Sequence, residues 1–340
     1  RAIALKPEHA QAHTNLGNAL AAQGKVEEAE ASYRRAIALG ADSAEAHNNL
    51  GATLSSLGRF AEAETHCRRA LALRPDYPEA CNNVGSALWM QGQPEEAIAH
   101  YRRAIAVKPD YPDAHNNLGQ VLAMLGEHAE AEASCRRAID LRPDYAEAHA
   151  NLGNALAAQG HLAAAVASFE RAVALKPDYA VAHSNIIFAL DFDPETTSRR
   201  AFEERRRWNA LHAAPLAGGN LRHDNDPNPE RRLRIGYVSA DFCRHSAATV
   251  FVPVVLGHDR DRFEVVCYSG VIQPDDHTAR FREAASLWRS TVGVADARLA
   301  EIIREDAIDI LVDLSGHSAG HRLLVFARKP APIQVTAWGH

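Results

Sequence analysis

Small, apolar and polar positions recur along the first half of the chain with a fixed step of 34 residues. The triplet Asn-Leu-Gly (Asn-Val-Gly once) begins at Asn15, Asn49, Asn83, Asn117 and Asn151, and Asn185 keeps the step without its glycine. A second glycine follows at Gly24, Gly58, Gly92, Gly126 and Gly160. Alanines repeat at Ala29, Ala63, Ala97, Ala131 and Ala165, and again at Ala36, Ala70, Ala104, Ala138 and Ala172, with Tyr33, Cys67, Tyr101, Cys135 and Phe169 between them. Prolines close the units at Pro7, Pro75, Pro109, Pro143 and Pro177, Ala41 being the departure. This is the tetratricopeptide pattern, two antiparallel helices per repeat. The first glycine lets the helices approach closely, and the second ends helix A in a left-handed cap. The closing prolines are expected in the first turn of the next helix. One such hairpin cannot cover its own apolar face, so the repeats stack into a superhelix with a concave groove. Residues 1–6 read as the end of a helix B, followed by five repeats and one further helix A.

After Leu190 the period changes. Residues 196–213 read as one charged helix whose arginine run is a solvated face, and residues 214–231 carry the Gly, Pro, Asn and Asp of a linker. Short β-branched runs then alternate with helical stretches. LRIGYVS (233–239), FEVVCYS (263–269), IDILVDLS (308–315) and IQVTA (333–337) read as buried strands; TVFVPVVLG, HTARFREAASL and DARLAEIIRED read as helices. The alternation predicts a parallel sheet covered on both faces. The expected fold class is an α-solenoid of tetratricopeptide repeats (1–190), a helical linker (191–231) and an α/β lobe (232–340). Ligands of such sheets sit outside the carboxyl ends of the strands, which singles out residues 239–246 and the Gly-His-Ser-Ala-Gly stretch at 316–320.

Composition narrows the function classes. A length of 340 residues fits about two domains. With 46% hydrophobic and 24% charged residues, the chain is neither disordered nor collagenous. A net charge of −6 offers no overall basic field for nucleic acid or an acidic membrane. Five cysteines without a Cys-x-x-Cys pair argue against a disulfide framework or zinc knuckle and for a reducing compartment. No apolar run approaches the ~20 residues that span a bilayer.

Two periodic polar series bear on binding. His13, His47, His115, His149 and His183, with Cys81 in the sixth slot, fall one per hairpin. They cannot converge on a metal and read as helix-surface residues. The asparagines Asn15, Asn49, Asn83, Asn117, Asn151 and Asn185 present amides with both donor and acceptor. A spiral of them can hold an extended peptide by its backbone, the alternative being asparagine used only in repeat packing. In the second half, Gly316-His317-Ser318-Ala319-Gly320 matches the nucleophile elbow of hydrolases. That elbow needs an acid and then a histidine later in the chain, and residues 319–340 contain no Asp or Glu. No phosphate loop with lysine and no His-Glu-x-x-His is present.

Repeats joined to LRIGYVSADFCRHS (233–246), FEVVCYS (263–269), REDAIDILVDLSGHS (304–318) and RKPAPIQVTAWGH (328–340) resemble one family, the O-linked N-acetylglucosamine transferases and their SPINDLY-type relatives, glycosyltransferase family 41, in a bacterial-like form. The resemblance covers essentially the whole chain. It implies that residues 232–340 are the first Rossmann-like lobe of a two-lobed GT-B glycosyltransferase whose second lobe lies beyond His340. It further implies an inverting enzyme that transfers one N-acetylglucosamine from UDP-N-acetylglucosamine to Ser or Thr of a polypeptide without a metal. His245 corresponds to the active-site histidine of the first lobe, and Asp241, Gly316 and His317 to cleft residues. A side chain that titrates near neutrality suits proton handling there, the competing role being a cap on the next helix. The repeats are expected to bind the acceptor, with a homodimer through them as a further expectation, in a cytoplasmic setting without nucleic acid or membrane. Where the N-acetylglucosamine enzymes carry a histidine ahead of the third strand, the alignment puts Arg304, which leaves GDP-fucose open as donor. A non-catalytic peptide scaffold is the competing class. Without the second lobe, this stretch alone is expected to be inactive.

Overall fold

The computed structural model describes residues 8–40, 42–218, 222–228 and 230–337. The chain divides into two compact units, residues 1–175 and 176–340.

The described residues of the first unit form five helical hairpins: α1 (Ala10–Ala22) with α2 (Val26–Ala38), α3 (Ala44–Ser56) with α4 (Phe60–Leu73), α5 (Pro78–Met90) with α6 (Pro94–Val107), α7 (Pro112–Met124) with α8 (His128–Leu141), and α9 (Ala146–Ala158) with α10 (Leu162–Leu175). The repeat glycines act as the spacing predicts. A Cβ on Gly85 would stand 2.7 Å from the Tyr101 ring and 3.1 Å from the Ala97 carbonyl, so only glycine lets α5 and α6 come this close. Gly92 sits at φ +76°, a conformation that L side chains resist, and ends α5. Fully buried alanines at Ala97, Ala104, Ala114 and Ala131 keep the crossings tight.

The closing prolines depart from expectation. Pro75, Pro109 and Pro143 lie three residues before α5, α7 and α9, in the connections. The first-turn prolines are Pro78, Pro94 and Pro112, where a missing N–H costs no helix bond. Pro7, Ala41 and the helix end expected over residues 1–6 lie outside the described residues.

The histidine series also corrects a surface reading. His47 is 6% exposed and His183 fully buried. His47 bonds Asp42 through Nε2 at 2.9 Å and meets Nδ1 of His66 at 2.9 Å. His115 and His149 reach back to the carbonyls of Pro109 and Pro143, at 2.9 and 3.0 Å. His47, His115, His149 and His183 tie their helices to the neighbourhood rather than decorating them.

The second unit begins earlier than periodicity suggests. Helix α11 (Ala180–Phe192) keeps the repeat register but packs with α12 (Ser198–Trp208) and the π-helical turn Asn209–Ala213 that continues it. Trp208 donates from Nε1 to the Ala180 carbonyl at 3.2 Å. His183 bridges Glu204 at 2.6 Å and His212 at 3.0 Å. Ile187, Trp208 and Ala213 form a core with Leu323 and Leu324. The charged helix expected over 196–213 is thus buried at its tryptophan, while its arginine run stays largely in solvent.

Five strands follow, β1 (Leu233–Ser239), β2 (Phe263–Ser269), β3 (Leu287–Ser290), β4 (Ile310–Asp313) and β5 (Ile333–Thr336), all parallel in the order β3-β2-β1-β4-β5. Helices α13 (Ser246–Leu256) and α14 (Asp276–Ala284) cover one face around Ile235, Tyr237, Val265 and Cys267. Helices α15 (Asp296–Glu305) and α16 (Leu323–Ala327) cover the other around Val238, Val266 and Tyr268. Apolar residues on both sides of each central strand are what a doubly covered parallel sheet requires. The edge strand β3 has no strand signal in the sequence, because Leu-Trp-Arg-Ser carries no β-branched residue and follows a helical pattern. At the amino ends, Asp309 fastens the linker: it accepts two bonds from Arg231 at 2.6 and 2.7 Å, one from Asn225 at 2.7 Å and one from the Arg234 N–H at 2.8 Å.

Candidate functional site

The sheet reverses its strand order between β1 and β4, and a parallel sheet opens a crevice at the carboxyl ends of such a pair. Two loops flank it. The loop after β1 is pinned at three points. Ser239 Oγ accepts the Asp241 N–H at 2.9 Å. Phe242 is fully buried against Phe251, Phe281 and Trp288. The Arg244 N–H donates to Asp275 at 2.6 Å. Asp241, between these anchors, and His245, just after the last, line the cleft, with His245 Nδ1 3.9 Å from Asp241 Oδ1. His245 also N-caps α13, its Nδ1 accepting the Ala247 N–H at 3.3 Å. The capping role and the cleft role coexist in one residue. Burial raises the Asp241 carboxyl above its ordinary range, and charge on His245 pulls it back.

The loop after β4 is built on Asp313, whose carboxylate accepts the N–H groups of Ser315 and Gly316, both at 3.0 Å. Burial raises this carboxyl as well. Gly316 turns the chain at φ +55°. It is buried and carries His317 into the cleft without lining it, which corrects its expected role. His317 Nδ1 lies 3.1 Å from Ser184 Oγ, and its ring meets Trp208 edge-on at 5.0 Å. Ser318 Oγ donates to the Ser315 carbonyl at 2.7 Å, and the next helix starts only at Leu323. The sharp strand-to-helix elbow of a hydrolase nucleophile is therefore not formed.

The resulting cleft encloses about 420 Å³. Asp241, His245 and His317 supply its polar side, Val250 and Leu314 part of its apolar lining, and Phe188, Asp191 and Phe192 of α11 complete the wall. The two phenylalanine rings lie tilted against each other, 4.8 Å between centres at 50°. Asp191 is held by Arg205 at 2.6 and 2.7 Å, so its charge is matched before any ligand arrives. Among the described residues Asp241 has no such donor: burial raises its carboxyl and His245 opposes the shift. The arrangement can accept a hydroxyl proton, or donate to an oxygen, beside an apolar platform. Among the described residues, no cluster of three or more His, Cys, Asp or Glu is arranged to hold a metal ion, and no helix is long and apolar enough to cross a membrane.

Arg304 stands apart from the cleft, at the end of α15, donating to the Arg328 carbonyl at 2.7 Å. The asparagine ladder lies along the helices A. Asn49 donates to Asn18 at 2.9 Å, Asn83 to Asn48 at 2.9 Å, Asn117 to Asn82 at 3.0 Å and Asn151 to Asn116 at 2.9 Å. Asn15 accepts from Gln11 at 3.3 Å, and Asn185 is half-buried in the second unit. One N–H of each bridging amide thus joins neighbouring repeats, and an amide carries two. Asn49 also lines a groove of about 370 Å³ with Asn18, Tyr33 and Thr53.

Asp313, Ser184 and the Phe188–Phe192 pair were missed from sequence. The pair had a visible signal: the slot of Phe188 holds Asn18, Ala52, Ser86, Gln120 and Asn154 in the other repeats, and that of Phe192 holds Ala22, Ser56, Met90, Met124 and Ala158. A break in a repeat toward aromatic residues marks a changed job.

Residues 197–340 match glycosyl transferase family 41, and tetratricopeptide families match residues 17–58, 42–110, 85–146 and 146–179. A probable UDP-N-acetylglucosamine–peptide N-acetylglucosaminyltransferase SPINDLY of Arabidopsis thaliana is 35% identical over 45% of this chain and 17% of its own length. The corresponding SEC protein of the same plant is 38% identical over 32% of this chain and 11% of its own. Among solved structures, a point variant of the Thermobaculum terrenum O-GlcNAc transferase superposes with a TM-score of 0.72 at 37% identity, over 76% of this chain and half of that one. The chain therefore spans between about a ninth and a sixth of the length of these curated relatives.

Proposed function

We propose, from the premise that this chain belongs to the O-GlcNAc transferase and SPINDLY family of glycosyltransferases, that the full-length protein transfers a single sugar from a nucleotide donor to Ser or Thr hydroxyls of polypeptides. The observation that carries the reading is the crevice between β1 and β4, where Asp241, His245 and His317 meet an apolar wall in the segment that matches the glycosyltransferase family.

In this reading His245 handles the acceptor proton. The hydroxyl oxygen attacks the anomeric carbon from the face opposite the leaving group, the carbon–oxygen bond to the pyrophosphate breaks, and the nucleoside diphosphate leaves with the electron pair. Configuration inverts, and no metal takes part. The donor is UDP-N-acetylglucosamine, in line with the names of the relatives. GDP-fucose is the second donor to try, because residues 304–318 resemble the SPINDLY type. The repeat groove takes the acceptor chain, the second N–H of each ladder amide being suited to a peptide carbonyl.

The test is incubation of the full-length protein with polypeptide acceptors and each labelled donor, with and without a metal chelator. Transfer that is lost in His245→Ala, while acceptor binding persists, is the expected result. Absence of transfer from both donors makes the repeat array a peptide scaffold and overturns the enzymatic reading.

A further inference from the structure

Two hydrogen-bonding partners compete for one nitrogen of His245. The Ala247 N–H donates to Nδ1 at 3.3 Å, which requires a lone pair there and leaves the proton of the neutral ring on Nε2. Asp241 Oδ1 stands 3.9 Å from the same Nδ1 and can bond it only if that nitrogen carries the proton. The two states are exclusive. In the capped state, Nε2–H is a donor toward the cleft and cannot take a proton from a hydroxyl. In the engaged state, Nδ1–H bonds the carboxylate and Nε2 offers its lone pair as a base.

The carboxylate is built to win that competition when it is charged. Its side chain is 16% exposed, and among the described residues no other donor offsets its desolvation. A charge-assisted bond is roughly twice as strong as the neutral cap it replaces. The loop is already braced by Ser239, Phe242 and the Arg244–Asp275 bond, so a small rotation of the imidazole suffices and the backbone need not move. The other titratable groups lining the cleft are committed elsewhere: Asp191 to Arg205, and His317 Nδ1 to Ser184.

We propose that Asp241 is a positioning residue that selects the tautomer of His245, converting it from a helix cap into a general base. The inference rests on the function proposed above. When the acceptor hydroxyl attacks, its proton passes to Nε2, the imidazolium formed is stabilised by Asp241 across Nδ1–H, and the leaving nucleoside diphosphate carries off the electron pair of the broken bond. Asp241 touches neither sugar nor acceptor in this scheme.

The test combines histidine-selective 15N NMR of the full-length protein, with His245→Gln identifying the His245 signals, and steady-state kinetics across pH. The wild type is expected to populate the Nδ1–H form of His245 once Asp241 ionises, and Asp241→Asn and Asp241→Ala only the Nε2–H form. In both variants kcat falls at least about tenfold with KM changed by less than about twofold. Asp241→Glu restores part of the rate. An unchanged tautomer in both folded variants, or a shifted tautomer with wild-type kcat, overturns the proposal. A wild type inactive with every donor is the separate failure of the function reading, and the NMR arm then still decides whether Asp241 sets the His245 proton.

Discussion

Gly17, Gly51, Gly85, Gly119 and Gly153 each face an aromatic ring or thiol of the partner helix, so the array states one packing rule five times. In the α/β lobe Asp313, Asp309 and His317 each occur once, and each is tied to partners by contacts that no other segment repeats. Repetition distributes stability over many equivalent contacts. A unique constellation concentrates it, and the site, in a few residues. The two units should therefore respond differently to single substitutions, more steeply in the lobe than in the array.

The largest effect is expected at Asp309, which is buried and accepts bonds from Arg231, Asn225 and Arg234. Those donors hold its carboxyl below the ordinary range against burial. Asp309→Ala leaves the Arg234 N–H and the Asn225 amide without this acceptor and should cost about 2–4 kcal/mol, read as a loss of hydrogen-exchange protection in β1 and β4 while the array keeps its own. Equal loss in both units would end the idea that they differ in this way.

Acidity provides the second contrast. His321 is largely buried, and desolvation brings it down to about 4 from an ordinary 6.5; His212 is pushed down likewise by burial and by His183. The unfolded chain takes up these protons at higher pH than the folded one. Stability is therefore complete above about 6.5 and declines as pH falls toward 4, by about 3 kcal/mol for His321 alone. In the array His66 is pushed down by burial and His47, and His100 by burial and the nearby Arg68 and Arg103, but neither is driven as far as His321. Exchange protection measured at pH 7 and pH 5 should fall more in the second unit, and His321→Gln should flatten that dependence.

How much was readable from sequence follows the same division. Period alone located Gly85 against its partner helix, because five copies reveal which position must be small. The glycine caps were equally plain. The strands β1, β2, β4 and β5 were visible as β-branched runs, since a doubly covered sheet needs apolar residues on both faces. Asp241, His245 and His317 were reached through motif and resemblance, and they do share one cleft. The role of Asp313 was not readable, because two hydrogen bonds to a turn leave no mark on composition. Nor was the membership of α11 in the second unit: it keeps the repeat register, while its partners Glu204, Trp208 and His212 lie 21 to 29 residues on. Arg304, singled out by alignment, donates to the Arg328 carbonyl and does not line the cleft.

Within the array, Gly85→Ala sharpens the comparison at smaller scale. The added methyl must displace the Tyr101 ring and crowd the Ala97 carbonyl, and overpacking of this kind costs about 2 kcal/mol. The melting of the first unit should broaden as the two halves on either side of the defect separate, which calorimetry would resolve. A sharp, unshifted transition would mean that α5 and α6 can part without cost.

The smallest effect is the most informative about function. Asn117 donates to Asn82 at 3.0 Å and accepts from Asn116 at 3.3 Å, and Asn82 is buried. Asn117→Ala removes a bridge and leaves the Asn82 oxygen short of a donor, at a cost of about 1 kcal/mol. If the ladder only joins repeats, that is the whole effect, and acceptor affinity measured by calorimetry with an extended peptide stays unchanged. If the second N–H of Asn117 also meets a peptide carbonyl, Kd rises about fivefold, or ~1 kcal/mol, and the same rise recurs for Asn83→Ala and Asn151→Ala. Loss of stability at all three positions without loss of affinity would reduce the ladder to a packing device, and the groove would then have to hold its peptide through side chains that differ from repeat to repeat.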